Sequence, residues 1–131
     1  MTFPLWCLFF AALMLVFTKM PVAVAMQRSS EKGYDNRHPR AQQAALTGWG
    51  ARAMAAHSNM FEAFPLFAAG VLVAQVTGLH GSLIDVLAGV FIISRVAYTI
   101  LYLANLHLLR SLSWIVGFAC CLGLLLSPAL A

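Results

Sequence analysis

The sequence predicts an all-α integral membrane protein, a four-helix bundle of up-down topology. Three observations carry that expectation. Of 131 residues, 62% are hydrophobic and only 9% are charged, where a soluble domain carries about 25% charge. The apolar residues fall into four blocks, each close to the roughly 20 residues that a spanning helix needs. Five of the eight basic residues gather in the connections between the blocks. The net charge of +4 therefore reports topology, not a nucleic-acid footprint. Membrane lipids are the expected surroundings, and no nucleic-acid partner is expected. The length suits one compact unit, residues 1–131.

The first span is expected at about 3–26, "FPLWCLFFAALMLVFTKMPVAVAM". Its Ala-Val-Ala before Met26 resembles a signal-peptidase site. No Lys or Arg precedes the run, so it reads as a retained helix. "QRSSEKGYDNRH" (27–38) is the one strongly polar stretch and reads as a loop. Pro39 suits a first helical position. From there a helical pattern continues to Val76, with the span itself at about 45–76. Unbroken, those 38 residues would make a rod of roughly 57 Å against a hydrocarbon core of about 30 Å, so the polar half must project. "TGLHGS" (77–82) is a tight turn. The third span is expected at 83–105. "LHLLRS" (106–111) connects it to the fourth, at 112–130.

Arg28, Lys32, Arg37 and Arg40 lie around the first loop and Arg110 in the third connection, while 77–82 has neither Lys nor Arg. By the positive-inside rule both basic connections face the cytoplasm and both termini lie on the other side. The protein is expected in a bacterial inner membrane.

The spans carry polar residues that lipid penalises by several kcal/mol each when charged, on most estimates. At about 100° per residue, Arg52 and Asn59 nearly eclipse and Glu62 lies within about 80° of them, whereas His57 sits about 140° from Arg52. Arg95, Tyr98 and Tyr102 form a second stripe on the third helix. Counted from the turn, Glu62 lies 14 residues before Val76 and Arg95 lies 13 after Ser82. Antiparallel helices would set them at one depth, which predicts a Glu62–Arg95 ion pair. Those two read first as glue between helices. Arg52, Asn59, Tyr98, Tyr102, Arg110 and Ser111 lie toward the cytoplasmic ends. A chamber of arginines, an amide and phenols there suits a small ligand bearing carboxylates. Pro65 frees the Phe61 carbonyl one turn above Glu62, where a kink would widen a cavity.

Arg52, Asn59, Glu62 and Pro65, in "RAMAAHSNMFEAFPLF", resemble the second-helix signature of the MAPEG family, membrane-associated proteins of eicosanoid and glutathione metabolism. "SRVAYTILYL" (94–103), through Arg95 and Tyr102, resembles the third-helix signature of its microsomal prostaglandin E synthases. Arg110–Ser111 is similar to the arginine–serine pair that opens their fourth helix. Tyr98 stands where those synthases have a histidine, and Trp114 where a tyrosine follows the pair. The resemblance implies a homotrimer holding glutathione, the cosubstrate, between neighbouring subunits near the cytoplasmic face. It also implies that Arg110 stabilises the glutathione thiolate with help from Ser111. Arg52, Asn59, Glu62, Tyr98 and Tyr102 would bind the rest of the peptide.

The remaining residues read more plainly. Cys7, Cys120 and Cys121 have no metal or redox spacing and read as packing. No His pair has metal-ligand spacing on a helix, so no metal site is expected. His57 is expected at an interface, and Lys19 snorkels toward the headgroups. Asp85 reads as a helix-start residue. Two functions from different classes remain. One is a glutathione-dependent transferase or peroxidase acting on lipophilic electrophiles. The other is a non-catalytic lipid-binding scaffold or accessory subunit of a larger membrane complex.

Overall fold

The computed structural model describes residues 1–130. Its elements are α1 (Phe3–Phe17), α2 (Lys19–Arg28), α3 (Pro39–Ala44), α4 (Gly48–Val76), α5 (Ser82–Leu103) and α6 (His107–Leu130). Four helices are long and apolar enough to cross a membrane: Phe3–Arg28, Gly48–Val76, Ser82–Leu103 and His107–Leu130. The first of them is interrupted at Thr18. Pro21 has no N–H with which to bond the Phe17 carbonyl four residues back, and the chain divides there into α1 and α2.

The expected rod from Pro39 to Val76 does not form. Pro39 does open a helix, but α3 stops at Ala44. Thr47 is extended, and Gly48 has φ +54°, a left-handed conformation that glycine adopts without penalty. The helix restarts as α4, whose 29 residues span roughly 43 Å. The fourth helix also differs, starting at His107 rather than near 112. Arg110 and Ser111 therefore lie in its opening turns.

The two short turns explain the up-down path. After α4, the Leu79 N–H bonds the Ala74 carbonyl at 2.9 Å, with Gly78 at φ +71°. After α5, the Leu106 N–H bonds the Leu101 carbonyl at 2.9 Å, with Asn105 at φ +61°. Each is a Schellman cap with a left-handed residue just past the helix. Asparagine is the side chain that tolerates that conformation best after glycine.

The core runs between the spans. Met14, Met60, Phe67, Val71, Phe91, Cys121 and Leu124 are buried in one cluster, with Phe67 and Phe91 stacked at 3.9 Å. Cys7, Cys120 and Cys121 are free thiols and all buried. A smaller cluster of Val22, Met26 and Ala53 joins α2 to α4. Gly70 sets the closest approach of α4 to α6: a Cβ there would stand 2.8 Å from the Leu124 Cβ and 3.3 Å from the Cys121 carbonyl. Gly70→Ala must push the helices apart, and we expect it to lose about 1–3 kcal/mol. Gly123→Ala should cost less, because its new methyl meets only the branched end of Leu87 at 3.1 Å. Thermal unfolding of both variants in detergent measures the difference.

The first loop is ordered by two side chains. Gln42 accepts the Asp35 N–H at 2.8 Å and donates to the carbonyls of Gly33 at 2.9 Å and Met26 at 3.1 Å. Asp35 Oδ1 accepts the N–H groups of His38 at 3.0 Å and Arg37 at 2.9 Å. Those bonds, that of His38 first, hold the Asp35 carboxyl below its usual range. A depressed carboxylate contributes order that is present above its unfolded pKa, about 3.9. That order is lost as the pH falls through the lower folded value. Protection of the Arg37 and His38 amides from hydrogen exchange should thus persist at pH 4 and be lost only as the pH falls further, through the lowered folded pKa. Asp35→Ala should remove it at every pH.

Candidate functional site

A continuous ladder of polar and aromatic side chains crosses from α4 through α5 to α6. It begins with Asn59 and Glu62, one helical turn apart on α4. Asn59 Nδ2 donates to Glu62 Oε2 at 2.8 Å, and Arg95 Nη2 donates to Asn59 Oδ1 at 2.7 Å. Only the amide oxygen can accept from a guanidinium and only its nitrogen can donate to a carboxylate, so the two neighbours fix the amide's orientation. The expected Glu62–Arg95 pair is thus corrected. The residues share a depth as counted from the turn, but Asn59 stands between them and relays the contact. Glu62 itself remains exposed.

The ladder continues on α5. The Arg95 guanidinium lies 4.3 Å from the centroid of the Tyr98 ring. Tyr98 meets Tyr102 edge to face at 5.6 Å. The Arg110 guanidinium of α6 lies 4.3 Å from the Tyr102 ring centroid. Both cations sit within the roughly 6 Å reach of an aromatic face. Five of the seven residues expected to form the site, Asn59, Glu62, Tyr98, Tyr102 and Arg110, thereby come together with Arg95.

Arg52 and Ser111 stand apart from it. Arg52 Nε is shut off from solvent without a hydrogen-bond partner. Ser111 is exposed, and its hydroxyl donates to the His107 carbonyl of its own helix at 3.0 Å. His57 lies off the ladder, as its helical angle implied. It faces α1 and α2 instead, with Nδ1 2.9 Å from Thr18 Oγ1.

Arg95 is the largest fully buried side chain, 1% exposed. Nη2 has Asn59, but Nε is buried without a partner. Gly117 lets α6 approach this point, since a Cβ there would fall 2.7 Å from Ser94 Oγ. Ser113 Oγ donates to the Ser94 carbonyl at 2.9 Å, pinning α6 to α5 beside it. A cavity of about 110 Å³ lies against Arg95, lined also by Asn59, Glu62, Trp114, Phe118 and Cys121. Trp114 and Phe118 stack at 5.2 Å, their planes 6° apart. Sequence reasoning missed this wall. Its signal was the 114, 117, 118, 121 spacing, one face of a helix, concealed because α6 carries no charged, hydroxyl or amide side chain from Trp114 to Leu126. Among the described residues no group of three or more His, Cys, Asp or Glu could hold a metal.

The arrangement offers two separated guanidinium groups, two phenols, an amide and a carboxylate along one seam. That set suits a zwitterionic ligand with more than one carboxylate. Comparison with curated proteins and with solved structures finds no match. A family model does match, over residues 3–130, and its description is the MAPEG family. Its match takes in all four spans and every rung of the ladder, and the chain belongs to the MAPEG family, membrane-associated proteins of eicosanoid and glutathione metabolism.

Proposed function

We propose that the chain is a membrane-embedded, glutathione-dependent transferase or peroxidase acting on lipophilic electrophiles. The observation that carries this reading is the unbroken ladder from Glu62 to Arg110. Asn59, Glu62, Tyr98 and Tyr102 hold the peptide's ammonium and carboxylate groups. Arg52, whose Nε has no partner within the chain, binds a carboxylate. Arg110 faces the thiol.

A free thiol titrates near 8.5, and only its thiolate is a good nucleophile. A guanidinium beside it favours the anion. Arg110 stands in the opening turn of α6, where the helix dipole adds to the effect. The thiol proton leaves to water at the loop end. The thiolate then forms a C–S bond to an electrophilic carbon, and the bond it displaces breaks with its electron pair onto a leaving group or, in an activated alkene, onto the neighbouring carbon, which takes a proton from water. Against a hydroperoxide it takes the terminal oxygen as the O–O bond breaks and the alkoxide leaves to be protonated to the alcohol; the resulting sulfenic acid reacts with a second glutathione to give the disulfide and water. The electrophile arrives through the bilayer.

Three copies around a threefold axis are the assembly this reading requires, with both termini opposite the basic loop. Exposed Glu62 supports it, because a carboxylate that deep in a span is costly against lipid and is relieved by a neighbour or a bound ammonium group.

One observation favours the second reading, a non-catalytic scaffold or accessory subunit: the Ser111 hydroxyl is committed to its own helix rather than to the ladder. A single measurement separates the two. Glutathione is added to the protein in detergent and the thiolate's ultraviolet absorbance is followed at neutral pH. A protein-dependent rise supports the enzyme. No rise, together with no glutathione-dependent change in melting temperature, supports the scaffold.

A further inference from the structure

The face of α4 turned away from Asn59 carries its own polar group. His57 and Ser58, with Met54 and Phe61, line a cavity of about 440 Å³ whose other wall is Lys19 of α2 with Arg40 and Gln43 of α3. Three basic side chains share this space, and no carboxylate lines it. Lys19 Nζ has only the Met26 sulfur near it, at 3.9 Å. Like charges gathered without an acid repel one another, so the cavity is built for an anion.

The hydrogen bonds fix how His57 presents itself. Thr18 Oγ1 donates its only hydrogen to the Met14 carbonyl at 2.8 Å. It must therefore accept from His57, whose Nδ1 carries the proton and lies 2.9 Å away. The other nitrogen, Nε2, is left without a hydrogen bond. The edge-to-face contact with Phe61 at 5.1 Å holds the ring in place.

Depth identifies the anion. Twenty helical residues cover the roughly 30 Å of hydrocarbon. Counted back from Val76, they end at His57. Counted forward from Phe3, they end at Val22, one turn beyond Lys19, whose stem can snorkel that distance. The cavity lies at the plane of the lipid phosphates. Its lining divides in the way a phospholipid does, with Lys19, Arg40 and His57 for the headgroup and Phe61, one turn deeper than His57, for the apolar remainder. Basic pockets between spans at this depth bind anionic headgroups.

We propose that Lys19 and Arg40 hold the phosphate of an anionic phospholipid from the leaflet on the loop side, with His57 Nε2 accepting a hydrogen bond from a headgroup hydroxyl and the upper acyl chain against Phe61. This site is separate from the ladder and does not depend on glutathione.

The test uses the whole protein, delipidated in a non-ionic detergent and titrated with phosphatidylglycerol in mixed micelles. Native mass spectrometry and melting temperature are the readouts. Phosphatidylglycerol should bind at one molecule per chain and raise the melting temperature, and phosphatidylcholine should do neither. Lys19→Ala with Arg40→Ala should weaken binding at least tenfold. Arg28→Ala with Lys32→Ala, an equal loss of charge in the same loop region, should leave it within twofold. Should the first pair fail to fold, Lys19→Gln alone should weaken binding about threefold. Equal retention by the Lys19/Arg40 variant, or equal loss from the Arg28/Lys32 variant, would overturn the proposal. So would phosphatidylcholine binding as well as phosphatidylglycerol. An equal melting shift from inorganic phosphate would mark a small-anion site instead and overturn the lipid assignment. Glutathione-dependent thiolate absorbance is a separate readout, so either proposal can fail alone.

Discussion

Asn59→Leu is expected to be among the most damaging single substitutions in the spans. It removes the hydrogen-bond acceptor of Arg95, which is 1% exposed and already has an unpartnered Nε. A side-chain hydrogen bond between membrane helices is worth only about 0.6 kcal/mol on average. A buried charge deprived of its partner costs about 3–5 kcal/mol, and that larger effect decides. Thermal unfolding in detergent should show a loss of that size. Asn59→Asp should lose much less, because a carboxylate still accepts from the guanidinium, although it repels Glu62. Asn59→Leu combined with Arg95→Leu should recover most of the stability, since removing both partners leaves nothing unsatisfied. If the double variant is no more stable than Asn59→Leu alone, Arg95 is held by something other than Asn59.

Arg110→Ala should abolish the protein-dependent glutathione thiolate signal and lower turnover roughly 10²-fold, the scale of losing one donor to a developing anion. Its fold should survive, because Arg110 is half-buried at the loop end and its ring partner is the half-buried Tyr102. Arg110→Lys should retain part of the signal, as a point charge without the planar fork. Ser111→Ala should change turnover severalfold at most, its hydroxyl being spent on the His107 carbonyl. Thiolate absorbance and turnover with a model electrophile, measured on the same preparations, check all three. Turnover unchanged by Arg110→Ala would remove this residue from the chemistry.

What the sequence disclosed and what it concealed divide along physical lines. The four spans were legible because lipid imposes one requirement, an apolar run of sufficient length. The shared depth of the Glu62 and Arg95 stripes was legible because the tight turn at 77–82 fixes the antiparallel count. Four things were not. The restart at Gly48 depends on backbone freedom at one glycine, and "TGWG" inside a helical pattern does not say which glycine will use it. The interposed amide depends on side-chain reach. Asn59 and Glu62 both lie near Arg95, and counting residues cannot tell which one touches it. The cavity wall of Trp114, Gly117, Phe118 and Cys121 was concealed because α6 has no charged, hydroxyl or amide side chain between Ser113 and Ser127 to mark one face as inward. The basic cavity needed Arg40, whose position depends on the α3–α4 break.

The Asn59–Arg95 contact also bears on how the chain enters the bilayer. The span Gly48–Val76 is the least apolar of the four and carries Arg52, His57, Asn59 and Glu62. The following span brings Arg95, whose bonded acceptor is Asn59. Neither is well suited to leave the translocon alone. The short capped turn between them lets both be released together as a hairpin, with the guanidinium and amide already satisfied. Biogenesis of this protein would then proceed in three steps rather than four, the middle step waiting on synthesis through residue 103.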